Sequence, residues 1–459
     1  MQEAGDKTNV KIGLEIHVPL NTQQKLFCDC PTNYYELDTP NVNICPVCTG
    51  MPGAKPWAIN QRALESAVMV AKLLSCRTVD VKAYVKRKHY DYPDLPSGYQ
   101  RTSEPIGVGG DLAGVGIWEV HMEEDPGRYD LASGCVDYNR SGVPLIEIVT
   151  APDMKSADDA RNFLKELINL LKYTERIVEA GGVMRADCNI SIEGGNRVEI
   201  KNINSIKGAY KAISYEIIRQ SNLRKRGGTV IQETRGYNEK SMITTAMRVK
   251  ETADDYRYIP DPDIPPLTLG KGFVDAIVLP ETPQSRRARL VELYGIPKDY
   301  AQILVKTKEL ADVFEEIAPA TDAQIAADWI CREVLRQLNY RAIDLDESKL
   351  SAKTLLELFE LIRKKDITES TAKKLLERVI DSGESPAEIV AKEALGKVSA
   401  ADELSKVADE IIAENQKAVE DYRSGKKEAA NFLMGQVMKK MRGRADSAVV
   451  IKLLSEKLG

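Results

Sequence analysis

WEVHMEEDPGRYDLASGCVDYNRSGVPLIEIVTAPD, residues 118–153, is the stretch whose reading decides the fold. It opens with alternation: Trp118, Val120 and Met122 fall on one face, Glu119, His121, Glu123 and Asp125 on the other. A period of two is that of a half-buried strand, and Pro126-Gly127 supplies the turn that ends it. The stretch closes with VPLIEIVTAPD, an apolar run that reads as a strand buried on both faces, interrupted by Glu147. A buried carboxylate is costly unless it is paired, neutralised or bound to a metal. Glu147 therefore calls for an arginine (Arg128 or Arg140) or a divalent metal beside it. A buried Arg–Glu pair is the plainer reading of this acid taken alone.

Working outward, Lys11–Leu20 (KIGLEIHVPL) alternates in the same way, with Leu14, Ile16 and Val18 on one face and Glu15 and His17 on the other. A Glu/His pair at i, i+2 of a strand points oxygen and nitrogen ligands the same way, although a solvated strand face reads identically. The chain has three histidines. That two of them, His17 and His121, stand beside acids on strand faces favours a site. Further on, Met184–Ser205 forms a hairpin about Gly194-Gly195-Asn196. It carries Asp187, Asn189 and Ser191 on one strand and Arg197, Glu199 and Lys201 on the next, followed by Asn202 and Asn204. Such a face can hold a metal and contact a polyphosphate, or consist of solvated paired charges. Apolar spacing predicts helices over Gln61–Leu74, Ala157–Tyr173 and Lys207–Gln220. Val85–Gly110, with its basic start (Lys86, Arg87, Lys88), with Tyr90, Tyr92 and Tyr99 and with Pro93, Pro96 and Gly98, reads as a rigid functional loop. Its Gly107-Val-Gly-Gly110 group reads as a hairpin turn, since it lacks the context of a phosphate-binding glycine loop.

Cys28-x-Cys30 and Cys45-x-x-Cys48 are separated by fourteen residues. Two close pairs of thiols joined by a loop make a closed tetrahedral zinc site, structural rather than catalytic. Four reduced, buried cysteines are the competing reading.

From about Ser285 the chain reads as helical to its end, rich in Ala, Leu, Lys and Glu. Ser385-Pro386-Ala387-Glu388 starts a helix, with breaks at Gly383 and Gly396. The segment from Lys417 to Gly459 holds 10 Lys+Arg against 5 Asp+Glu, a net +5 in a chain of net charge -5, so the remainder carries about -10. Its basic run, KKMRGR (Lys439–Arg444), stands between two amphipathic stretches, as a phosphate-binding patch or as an ordinary solvated helix end.

At 459 residues the chain should form two to four domains with a substantial core. No apolar run approaches the ~20 residues that span a bilayer and no signal-peptide core is visible, so a cytoplasmic protein without a membrane partner is expected. Eight cysteines in such a chain suggest thiols or a metal site, not a disulfide framework. The negative net charge excludes a generally cationic nucleic-acid binder and leaves room for a local basic patch.

Together, GLEIHV, the two cysteine pairs, YPDLPSGYQ, HMEEDPG, VDYNRSGVPLIEIV, EIKNINS, QETR and DDYRYIPDPD resemble one family. It is the B subunit of the glutamine-dependent amidotransferase that converts misacylated Asp-tRNA(Asn) or Glu-tRNA(Gln) to the amide form. The helical half, with NFLMGQVMKKMRGRAD, is similar to that family's helical domain and tail. His89 stands where many bacterial relatives have Asn, and the chain has no room for the large insert of the archaeal E-type relative.

The resemblance implies an α+β fold: a mainly antiparallel, cradle-like catalytic domain with a zinc loop (1–290), an all-α domain (291–410) and a helical tRNA-binding tail (411–459). It implies that ATP phosphorylates the side-chain carboxylate of the aminoacyl group and that ammonia displaces the phosphate. Glu15, His17, Glu123 or Glu124, and Glu147 become candidate magnesium ligands, and the alternation favours Glu123. Asp187, Glu199, Lys201, Arg140 and Asn139 are implied to orient the nucleotide or acyl group, with Gln100, Asn202 and Asn204 on the nucleotide side. The cofactors implied are ATP, Mg2+ and Zn2+. The partners are the amidase (glutaminase) or A subunit, which makes the ammonia, the small C subunit, and tRNA. A non-catalytic, zinc-bearing tRNA-binding scaffold whose acids form structural ion pairs is the alternative from another functional class.

Overall fold

The computed structural model describes residues 9–79, 82–130, 132–178, 184–248, 257–393, 395, 401–424, 428–441, 445 and 447–458. The readings at Gly396, at 254–256 of DDYRYIPDPD and at 442–444 of the basic run lie outside them. The chain divides into two compact units, 1–281 and 282–459. It is a large, mostly antiparallel sheet followed by helices, the class expected.

The first unit carries fourteen strands among the described residues. They are β1 (Val10–Pro19), β2 (Arg77–Thr78), β3 (Val85–His89), β4 (Tyr99–Ser103), β5 (Gly107–Leu112), β6 (Val115–Glu124), β7 (Arg128–Tyr129), β8 (Val136–Asp137), β9 (Pro144–Thr150), β10 (Arg185–Ile192), β11 (Val198–Ile203), β12 (Glu233–Asn238), β13 (Ile243–Arg248) and β14 (Ile259–Pro260). The main path runs β13-β12-β11-β10-β1-β9-β6-β4-β3-β14; β5 joins β6, β2 joins β5, and β7 and β8 form a separate ribbon. Only the β11–β12 pair is parallel among the described strands.

Antiparallel sheets can bury one face and leave the other to water, and this one does. Ile12, Leu14, Ile16 and Val18 of β1, Val120 and Met122 of β6, Ile146 and Ile148 of β9, and Cys188 and Ile190 of β10 are all buried. They form one core with helices α1 (Gln61–Leu73), α2 (Ala157–Lys172) and α3 (Ile206–Lys225). Each helix begins at a polar cap: Asn60 Oδ1 accepts from the Ala63 amide, Ser156 Oγ from Asp159, and Ser205 Oγ from Gly208. Glu216 of α3 is wholly buried, and Arg219, Gln220 and Thr244 hydrogen-bond it, which ties the helix to β13. The opposite face of the sheet carries the polar residues.

Three sequence readings are corrected. Val85–Gly110 is not one irregular loop, because β3, β4 and the start of β5 run through it; the tyrosine and proline signals belong to the connection between β3 and β4. The Gly107–Gly110 group lies in β5, and the tight turn falls at Ala113-Gly114, both with positive φ. An added Cβ at Gly107 would come within 2.6 Å of Ala71, so this glycine serves close packing of β5 on α1. Trp118 does not share a face with Val120 and Met122: it is 56 % exposed. The register to β9 shifts between Ile117 and Glu119, so Trp118 is the extra residue of a β-bulge and Ile117 takes the core position.

The second unit is helical, from Pro283–Tyr294, capped by Thr282, to Ser447–Leu458. Among the described residues it holds two separate hydrophobic clusters, one over residues 290–389 and one over 404–458. The predicted helix start at Pro386 is present, with Ser385 Oγ accepting from the Glu388 amide, and Gly383 ends the preceding helix with a left-handed φ of 73°. No helix among the described residues is long and apolar enough to cross a membrane.

Candidate functional site

The polar face is built by register. β1 is the central strand: His17 pairs with Glu147 of β9 on one side and Arg185 of β10 on the other, and Glu15 pairs with Asp187. Glu147 also faces His121 of β6. Paired residues of neighbouring strands project from the same face, so these rungs place acids and histidines side by side.

Two groups result. In the first, His17 Nε2 lies 3.5 Å from Glu123 Oε2 and 3.6 Å from Glu147 Oε1. In the second, Glu15, Asp187 and Glu199 bring carboxylate oxygens together. The donor atoms of each group fall within 4.8 Å of one another. Oxygen and nitrogen ligands at about 2.1 Å from a magnesium ion stand about 3–4 Å apart, so small contractions would close either group on one. Asn189, opposite Glu199, donates to Glu15 (2.8 Å), yet its own Oδ1 is buried with no hydrogen-bond partner. An orphaned carbonyl oxygen beside three carboxylates fits a cation or its water shell.

The electrostatics follow from burial and neighbours. Burial opposes the charge on His17, but Glu123, Glu147 and Asp187 outweigh it and lift the imidazole to about 9. Glu123 is held well below the usual carboxylate range: its burial is overcome by His17, Lys88 and Thr102. Glu147 is pushed up to about 7 by burial and by the Glu123 charge, against His17, His121 and Lys88. The two carboxylates thus divide one set of cations, and of the two Glu147 is the one whose ionisation is opposed. His121 is fixed between the Ser103 carbonyl (2.9 Å from Nδ1) and Glu119 (3.0 Å from Nε2), two acceptors that require both ring nitrogens to be protonated. Lys201 bridges Asp187 (2.8 Å) and Glu199 (3.3 Å).

The other expected residues lie as follows. Glu124 alternates away from the face and pairs with Arg101. Gln100 is buried and donates to Glu123 (3.2 Å) and to the Glu124 carbonyl (2.8 Å), holding the acid in place. Arg140 buttresses the turn after β6 through the Pro126 and Gly127 carbonyls and pairs with Asp125 (3.5 Å). Asn139, 1 % exposed, commits its amide to the cysteine loop: Oδ1 accepts from Val42 and Asn43, and Nδ2 donates to Thr39. Asn202 takes a left-handed φ of 66° in β11, and Asn204 follows the strand. Neither arginine weighed as the partner of Glu147 is among the cations beside it; His17, His121 and Lys88 take that place. Lys88 was visible only as part of a basic cluster. Its distinction is parity: Lys86 and Lys88 share a face and Arg87 does not, and Arg87 goes to Asp261 instead.

The four cysteines converge at one point. Cys48 Sγ lies 3.8 Å from Cys45 Sγ and 3.9 Å from Cys30 Sγ. Four sulfurs at about 2.3 Å from a tetrahedral zinc stand about 3.8 Å apart, whereas a disulfide needs about 2.05 Å. The donor set and its spacing fit zinc. Cys48 is pulled down to about 5, by the Cys28 hydrogen bond above all, then, against burial, by Lys25 and the Cys45 amide.

Comparison with known proteins agrees over the length of the chain. A family profile described as the GatB/GatE catalytic domain matches residues 10–275, and one described as the GatB domain matches residues 312–458. Proteins named as the B subunit of aspartyl/glutamyl-tRNA(Asn/Gln) amidotransferase are similar throughout. That of Methanocaldococcus jannaschii is 52% identical, covering 99% of this chain and 98% of its own. That of Methanopyrus kandleri is 52% identical over 98% and 99%, and that of Methanothermobacter thermautotrophicus 51% over 98% and 100%.

Proposed function

The chain belongs to the GatB/GatE family of amidotransferase B subunits, and from that premise we propose that its polar sheet face activates and amidates the side-chain carboxylate of Asp-tRNA(Asn), Glu-tRNA(Gln) or both. The observation that carries this reading is the pair of acid groups on adjacent rungs, His17/Glu123/Glu147 and Glu15/Asp187/Glu199. A scaffold whose acids form structural ion pairs would match each acid with a cation. Here five carboxylates face His17, His121, Lys88 and Lys201, of which His121 is already paired with Glu119, and Asn189 Oδ1 stands beside them without a partner.

A carboxylate is a poor electrophile. Transfer of the γ-phosphoryl group of ATP to its oxygen gives an acyl phosphate and ADP; ammonia then bonds to the carbonyl carbon, phosphate leaves, and the nitrogen sheds a proton. Catalysis of the first step is mostly positioning and charge neutralisation. His17, Glu123 and Glu147 would hold one magnesium ion, and Glu15, Asp187 and Glu199 a second cation; bound there, such ions neutralise phosphate charge. Lys88 and Lys201 add fixed positive charge at either side of the acids. Gln100 and Thr102 hold Glu123 ionised and in place. We place the source of ammonia in a partner amidase, held with this chain by a small third protein. Reconstitution with those partners, ATP, magnesium and each misacylated tRNA should yield Asn-tRNA(Asn) or Gln-tRNA(Gln). Formation of neither, with glutamine hydrolysis intact, would overturn the reading.

The last hydrophobic cluster, residues 404–458, is assigned to the body of the tRNA. The chain before Lys417 carries about -10 and its substrate is a polyanion, so the positive excess beyond Lys417 supplies the compensating attraction. Lys440 already bridges Glu410 and Glu414, which leaves Lys439 among the described cations of the basic run without a carboxylate shared in this way. Removing residues 417–459 should weaken tRNA binding and flatten its salt dependence by roughly one unit of slope per lost phosphate contact, with tRNA-independent glutamine hydrolysis unchanged. Unaltered affinity and slope would leave the run as a solvated helix end.

A further inference from the structure

Lys25 is 1 % exposed, among the most buried side chains of the molecule. A lysine ammonium is rarely taken out of water without a carboxylate beside it, because desolvation costs more than neutral acceptors return. The partners of this one are two main-chain carbonyls, Asn43 O at 2.8 Å and Tyr138 O at 3.2 Å, and the sulfur of Cys48 at 3.5 Å. The same sulfur accepts from the Cys45 amide at 3.2 Å. Two N–H donors aimed at one sulfur, one of them cationic, mark that sulfur as a thiolate and the cysteine cluster as the missing counter-charge.

We propose that Lys25 is a positioning residue of the cysteine centre: its ammonium offsets the excess negative charge of a zinc tetrathiolate and bolts the cysteine loop to the chain at Tyr138. The inference rests on reading Cys28, Cys30, Cys45 and Cys48 as a zinc site. Four thiolates around Zn2+ leave a net charge of -2, and this centre is half buried, where an uncompensated charge is costly. One lysine halves that charge and donates to a ligand sulfur. The remaining bonds of the ammonium reach two separated stretches, the cysteine loop at Asn43 and the approach to β9 at Tyr138. Asn139 and Ser141 fasten the same two stretches from the other side, through Val42 and Asn43 and through the Cys48 carbonyl. The lysine is therefore the only one of these fasteners that touches both a ligand sulfur and the neighbouring segment.

The test is zinc retention in the full-length chain. Zinc content of the native protein is measured first, and its absence would overturn the zinc reading itself. With zinc present, its release to a chromophoric chelator is followed in native protein, Lys25→Met and Ser141→Ala, and the cobalt-substituted forms are compared by their thiolate-to-metal absorption. Outer-sphere partners typically govern metal affinity by about 10- to 100-fold. Lys25→Met should lose zinc more readily by a factor in that range and shift the cobalt band. Ser141→Ala, which loosens the loop without removing a charge from the sulfur, should retain native release and an unshifted band. Should Lys25→Met fail to fold, Lys25→Gln keeps an N–H donor without the charge and should release zinc faster than native protein. Native release and an unshifted band in the soluble Lys25 variant would overturn the proposal, as would an equal change in Ser141→Ala.

Discussion

Glu147→Gln and His17→Ala should each lower tRNA-dependent ATP hydrolysis, and with it amidated tRNA, by on the order of a hundred- to a thousand-fold, the loss seen when a group stabilising transition-state charge is removed. Glu147 stands 3.6 Å from His17 Nε2, and Glu123 at 3.5 Å completes the group. Glu147→Gln keeps an oxygen but removes the negative charge of one ligand, and His17→Ala removes a donor outright from the three of the proposed magnesium site. Glutamine hydrolysis by the assembled complex should persist, because the proposed source of ammonia is the partner amidase. The magnesium dependence carries a sign. A metal must displace the protons held by Glu147, up near 7, and His17, near 9. Apparent affinity for magnesium should therefore rise with pH across that interval and collapse below it. Near-native amidation by both variants, measured with radiolabelled aminoacyl-tRNA, would remove the assignment.

Cys45→Ser should abolish stoichiometric zinc and lower the thermal midpoint by many degrees. Binding energy at a closed structural zinc site is folding energy, on the order of 10 kcal/mol in small zinc domains. The loop is otherwise held by hydrogen bonds and not by an apolar core: Val42 and Met51 are exposed, and its ties include those of Asn41, Asn139, Ser141 and Lys25. Metal analysis of protein purified without chelator, and thermal melts of native and variant chains, decide the matter. An unchanged melting curve together with absent zinc in the native chain would return the cysteines to ordinary buried thiols.

Much of this was legible beforehand where one segment carries its own signal. The alternation in Lys11–Leu20, the spacing of the four cysteines and the helix start at Ser385-Pro386 are local, and the structure has each of them. What could not be read is which residues of different strands share a rung. Glu15 and His17 do project from one face, but residues i and i+2 of a strand lie about 7 Å apart, beyond the span of one small ion, whereas paired strands approach to about 4.8 Å. Grouping consequently runs across the sheet: His17 joins Glu147 and Glu123, and Glu15 joins Asp187 and Glu199. The partner of Glu147 was sought among nearby arginines for the same reason. Its cations come from β1, β3 and β6, and only register brings them together. Asn139 and Gln100 are a different case: their side-chain bonds to the cysteine loop and to Glu123 depend on tertiary contacts that no single segment announces.

The bulge at Trp118 has a meaning for how this sheet can vary in length. Upstream of it the odd-numbered Val115 and Ile117 face the core; downstream the even-numbered Val120 and Met122 do. The extra residue resets the parity of β6, and only with that reset do His121 and Glu123 emerge on the side of His17 and Glu147. A strand that carries ligands on one surface and core on the other keeps a reading frame of two, so a single-residue gain or loss inside β1, β6, β9 or β10 inverts everything beyond it. Insertions and deletions are tolerable only in the connections, or in pairs, and Trp118 is the one place in β6 where the frame has already been shifted and absorbed.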